Sequence, residues 1–156
     1  MVPDRASIRP EAIPELLRFL AIIEFGSDGE AHFRLIGSEH ERNTPIRAGM
    51  PLTGMAADPK TESDVRIRVL NVANHPCGMH SRFMAQGAIG ISYVETLSLP
   101  LVGSRGEKYS IAIAVPGDKE PIASGLVRWG VSDKTWFRYI DIGAGVPEGG
   151  SPSTEG

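Results

Sequence analysis

The sequence predicts an α+β fold, an antiparallel sheet with helices on one face, and three observations carry that expectation. Residues 91–101 (ISYVETLSLPL) are rich in β-branched, aromatic and leucine side chains, the composition of a long strand. VGSRG at 102–106 supplies a glycine-bearing turn, and residues 108–115 (KYSIAIAV) then alternate apolar and small side chains, completing a long hairpin. The helical patterns lie upstream of this hairpin, so helices must cover the sheet rather than alternate with its strands.

The elements follow in order. Residues 1–9 read as a flexible arm. Pro10 and Pro14 suit the first turns of short helices, and Ile13, Leu16, Leu17 and Leu20 form an apolar stripe at helical spacing, an N-terminal helical leader. Residues 21–25 (AIIEF) and 31–36 (AHFRLI) form two strands around the turn signal Ser27-Asp28-Gly29. Strict alternation places Phe33 and Leu35 on one face and His32 and Arg34 on the other. Residues 37–59 are punctuated by Pro45, Gly49, Pro51, Gly54 and Pro59 and predict short helical turns. Thr61, with Asp64 three residues on, caps a helix to about Asn74 with Val65, Val69 and Val72 on its buried side, and Pro76 ends it. A third strand covers 78–86. Residues 125–142 read as two strands around Ser132-Asp133-Lys134, the first equally readable as helix. The polar Gly/Ser/Pro stretch 147–156 reads as a disordered tail.

Size and composition bound the function. A chain of 156 residues is one domain, expected over 10–146, and long enough to bury a core without staples. No apolar run approaches a membrane span, and the first fourteen residues hold no apolar signal core, so neither membrane nor secretion is expected. The single cysteine, Cys77, cannot form an internal disulfide and fits a reducing cytoplasm. A net charge of −3 with interspersed signs argues against nucleic acid. The one local basic pair, Arg66 and Arg68, reads as a solvated helix face.

The element order ββ-ααα-βββ, with the longest helix just before three meandering strands, resembles a PAS domain. Local motifs resemble a bacterial PAS subfamily that often occurs as stand-alone proteins: PEAIPELL at 10–17, FRLIG at 33–37, GMPLTG at 49–54 and ETLSLPL at 95–101. The resemblance covers roughly residues 8–116. It implies a five-stranded antiparallel sheet cupped against helices, a core over about 20–116, and a C-terminal extension over 117–146. It also implies a homodimer formed through the leader, with Ile13, Leu16, Leu17 and Leu20 as interface candidates. The function implied is a sensory or interaction module without its own output domain, acting on a signalling partner protein. Cys77 stands in HPCGM beyond the long helix, not in the helix motif of a flavin-based light sensor.

Candidate chemistry is sparse. His75, Cys77 and His80 carry potential ligands for zinc, copper or haem iron, but a structural zinc site needs four spaced ligands and no second cluster exists. A polar loop is the stronger reading, with a haem or metal sensor through His75 the weaker one, and no cofactor is assigned. Glu95 sits in an otherwise apolar or hydroxylic strand. Turned inward it would suit ligand recognition or acid–base work; pairing with Arg82 or Arg105 is favoured. Nucleophile elbows, phosphate loops and dinucleotide fingerprints are missing, so no enzymatic activity is expected. A small-molecule site is expected between sheet and helices, with Phe33, Leu35, Val69, Phe83, Tyr93, Glu95, Leu97 and Ile111 as lining candidates. The alternative is a small cone-shaped α+β enzyme or binding protein with Glu95, Tyr93 and His80 as pocket groups. The orientation of Glu95 separates the two.

Overall fold

In the computed structural model, which describes residues 1–54, 58–87, 90–120, 130–131 and 136–148, strands β1 (Leu20–Phe25) and β2 (Ala31–Ile36) open an antiparallel sheet. Two α-helices follow, α1 (Ser38–Asn43) and α2 (Pro59–Asn74). Strands β3 (Gly78–Gly87), β4 (Gly90–Val102) and β5 (Lys108–Glu120) then form a meander. The short β6 (Gly130–Val131) and β7 (Trp136–Ile140) both pair antiparallel with the outer edge of β3. The strand order is β2-β1-β5-β4-β3, with β6 and β7 beyond β3, so the sheet exceeds the five strands expected. β6 and β7 run the same way along β3 instead of folding back on each other; residues 132–135, where the turn was expected, lie outside those described. The expected tail lies outside them too from residue 149 onward.

Long helix α2 starts earlier than its expected cap. Asp58 is the N-cap: its carboxylate accepts from the N–H groups of Lys60 (2.9 Å) and Thr61 (2.9 Å) and from the Thr61 hydroxyl (2.7 Å). Pro59 takes the first helical position, where no N–H is needed. Val69, Val72 and Ala73 of α2 pack on Ile23, Phe25, Phe33 and Met79 of the sheet, the main core. Arg66 is not merely solvated. Its guanidinium donates to the carbonyl of Gly29 and the carboxylate of Glu30, both at 3.0 Å, tying α2 to the β1–β2 turn.

Two irregularities redirect side chains. Ile22 pairs with Leu35 and Ile23 with Phe33, so Arg34 is an extra residue on β2. This bulge turns Leu35 away from the face that holds Phe33, breaking the alternation read from sequence. Residues 49–52, the heart of GMPLTG, line the free edge of β2: Phe33 N–H donates to Met50 O, Gly49 N–H to Phe33 O and Leu52 N–H to Ala31 O. That pairing, with Pro51 at its centre, covers an edge that would otherwise be open.

The leader is not the amphipathic helix its stripe implies. It is three 3-10 turns, Arg5–Ser7, Pro10–Ala12 and Leu17–Phe19. Pro14 explains the interruption, because a proline disfavours helical geometry at the residue before it, and Ile13 is indeed non-helical. The arm at 1–9 is held against the sheet rather than loose: Val102 N–H donates to Pro3 O, and the Arg5 guanidinium lies 4.9 Å over the Tyr109 ring. Ile8 and Ile13 pack on a second cluster, Leu20, Ile22, Leu101, Tyr109 and Ile111, on the face opposite α2.

Candidate functional site

Strand register decides where space is left. On β4, Thr96 and Ser98 face the helices, while Glu95, Leu97 and Leu99 face away. On β5, Ala112 and Ala114 face the helices, while Ile111 and Tyr109 belong to the opposite cluster. Ser81 of β3 pairs with Thr96, and Ala21 of β1 with Ala112, extending the same surface. The centre of the inner face is therefore made of alanine, serine and threonine. Side chains this short cannot reach the helix layer.

A cavity of about 170 Å³ results. Ser81, Thr96, Ser98, Ala112 and Ala114 form its floor, and its walls are apolar: Ile23 and Phe33 from the sheet, Val65 and Val69 from α2, Phe83 and Phe137 from the far edge. Two basic side chains, His40 and Arg68, are also among the described lining residues. The His40 ring Nε2 lies 2.8 Å from the carbonyl of Phe19; a carbonyl only accepts, so Nε2 carries the hydrogen. The Arg68 guanidinium lies 4.1 Å over the Phe137 ring. The hydroxyl of Thr44 is satisfied, donating to His40 O at 2.8 Å and accepting from Ile46 N–H at 3.2 Å. The hydroxyl of Thr96 is buried without any partner.

Of the eight residues expected to line a pocket, Phe33, Val69 and Phe83 do so. The other five lie on the outer face. Leu35 is turned there by the bulge, Ile111 is covered by the leader cluster, and Tyr93 and Leu97 are exposed at 41% and 42%. Glu95 is also outside, its side chain 64% exposed and its Oε1 2.6 Å from His80 Nε2. Its partner is neither Arg82, which lies over the Tyr93 ring, nor Arg105, which pairs with Glu107. Reading for apolar size selected the outward set. The missed signal is the regular recurrence of Thr96, Ser98, Ser110, Ala112 and Ala114 at alternate positions of two neighbouring strands.

Leader and metal candidates also separate. Leu20 is buried inside the chain's own second cluster with Ile13 against it, which leaves Leu16 and Leu17 as the exposed members of the stripe. His75 lies at the end of α2 with Nε2 3.1 Å from Ala144 O, and His80 is on the outer face of β3. Cys77 is fully buried, and burial pushes its thiol up. The three do not converge, and no cluster of three or more metal-binding side chains occurs among the described residues. Nor does any described helix have the length and apolarity to cross a membrane. Comparison with protein-family models, with curated proteins and with solved structures finds no match to this chain.

Proposed function

We propose that this chain is a PAS-type sensory module of the cytoplasm, non-enzymatic, that binds a small molecule between sheet and helices and signals through protein contacts. The observation that carries the reading is the cavity. It lies between a sheet and helices in the order the resemblance implies, two strands, helices, then a three-stranded meander. Its floor is shortened by side chains that a dry core would replace with larger ones. The outward turn of Glu95 removes support from the cone-shaped enzyme reading, because its carboxylate and His80 lie on the sheet face opposite the cavity.

Self-association is the second part of the reading. The outer face exposes Tyr93, Leu97, Leu99 and Val115, flanked by Glu95 and by Arg82 and Arg138. An apolar row between charges of both signs suits a self-complementary, two-fold contact with a second copy. Native mass spectrometry of the freshly purified protein tests both parts. A bound small mass on a dimer is the expected result. A bare protein whose melting temperature responds to no small molecule would remove the ligand-binding part; a monomer at high concentration would remove the dimer.

A further inference from the structure

We propose that the cavity takes an amphipathic carboxylate, its apolar body within and its carboxylate on Arg68 at the rim; this rests on reading the cavity as a ligand site. The body comes first. Ile23, Phe33, Val65 and Val69 wall the cavity, and Ala112 and Ala114 lie on its floor, so carbon surface dominates. The polar groups beside them offer a ligand little. Thr96 Oγ1 has almost no accessible surface, the Thr44 hydroxyl is satisfied, and His40 Nε2 donates to Phe19 O. A body held here gains by leaving water rather than by hydrogen bonds.

The head comes second. Among the described lining residues Arg68 is the one formally charged side chain, and none is acidic. The cavity is open in part, and Arg68 is half-buried, as are Val65 on the same helix, Phe83 of β3 and Phe137 of β7. A carboxylate on Arg68 therefore keeps part of its water, which lowers the cost of burying a charge, while the apolar body lies inward. A guanidinium carries five N–H donors and fits a carboxylate through two of them, so it can serve a ligand alongside the Phe137 ring and its further contact.

The test titrates the full chain by NMR with phenylbutyrate, phenylbutanol and phenylbutylamine, three single-ring probes that share one apolar body and differ in the head. At low salt the acid is expected to bind about fivefold more tightly than the alcohol, with the amine weakest, and added salt should narrow the lead. Arg68→Gln is expected to remove the acid's lead while changing the alcohol by less than about twofold, which separates loss of the charge from a packing defect. Arg68→Glu reverses the charge and is expected to put the amine ahead of the acid. An alcohol that matches the acid in the native chain, equal losses of acid and alcohol in Arg68→Gln, or an acid still ahead in Arg68→Glu would overturn the carboxylate head while leaving a ligand cavity. If none of the probes shifts the resonances of cavity-lining residues, both this proposal and the ligand-binding reading fall.

Discussion

Replacing Ser110 by alanine should make the protein more stable. Ser110 lies on the inward side of β5, opposite Ile23 of β1 and Pro100 of β4, has no exposed surface, and its Oγ finds no partner. An unpaired buried hydroxyl costs about 1–3 kcal/mol in lost hydration. Deleting the oxygen opens a small void; taken as half of a water's ~30 Å³ share, at about 24 cal/mol per Å³, it returns ~0.4 kcal/mol of that. The net gain for Ser110→Ala is therefore about 0.6–2.6 kcal/mol. For a chain of this length each kcal/mol raises the midpoint by about 2–4 °C, so thermal unfolding should shift upward by several degrees. Urea unfolding supplies the check on mechanism: the midpoint should rise with an unchanged slope. A loss of about 1 kcal/mol or more, at constant slope, would refute the reasoning, because it would mean that the hydroxyl is hydrogen-bonded in the native protein.

Three further outcomes follow from the same packing. Ala112→Leu on the cavity floor should abolish binding of single-ring probes, with the midpoint in thermal unfolding unchanged or raised, since the added methylenes enter existing space. Gly37→Ala should destabilise by about 1–3 kcal/mol in urea unfolding, because a Cβ there would lie 2.4 Å from Arg18 O and 2.5 Å from Leu17 O, both backbone atoms that cannot swing aside. Hydrogen bonds from the Thr61 hydroxyl, the Thr61 N–H and the Lys60 N–H hold the Asp58 carboxyl below its ordinary value of 3.8. The stabilisation is fully present above that ordinary value and is lost as pH falls through the lowered folded one. Asp58→Asn keeps an acceptor for the helix end but carries no titrating group there, so melting curves taken below about pH 4 should decline less steeply for this variant than for the native protein.

The order of elements was legible because local signals agree: Asp28 and the glycines around it mark the β1–β2 turn, valines at helical spacing mark α2, and the turn at 102–106 marks the hairpin. The site was less so. Assigning a strand does not say which of its two faces meets the helices, and β4 carries large apolar residues on one face and hydroxyls on the other. The usual rule that leucine points inward chose the wrong face of that strand, placing Leu97 and Tyr93 in the pocket. Tertiary context reverses the rule, since the leader covers part of the outer face through Ile8 and Ile13 while the inner face keeps its short side chains. Leu35 failed for a different reason, a single extra residue at Arg34 that no periodicity announces. The leader stripe misleads because its helical spacing runs across Pro14, which breaks the single helix that the spacing requires into short turns.

The place of β1 in the sheet governs the order in which the chain can be assembled. β1 lies between β2, its neighbour in sequence, and β5, so that Ile22 is paired with Ile111 roughly ninety positions away. The β1–β2 hairpin and the β3–β4–β5 meander each need only short loops to close, whereas joining them requires closure of the whole intervening chain. During synthesis from the N-terminus, the hairpin therefore waits with the edge of β1 that faces Ile111 unpaired until the last residues of β5 have left the ribosome. A nascent chain stopped before Lys108 holds two pieces of sheet and no seam between them.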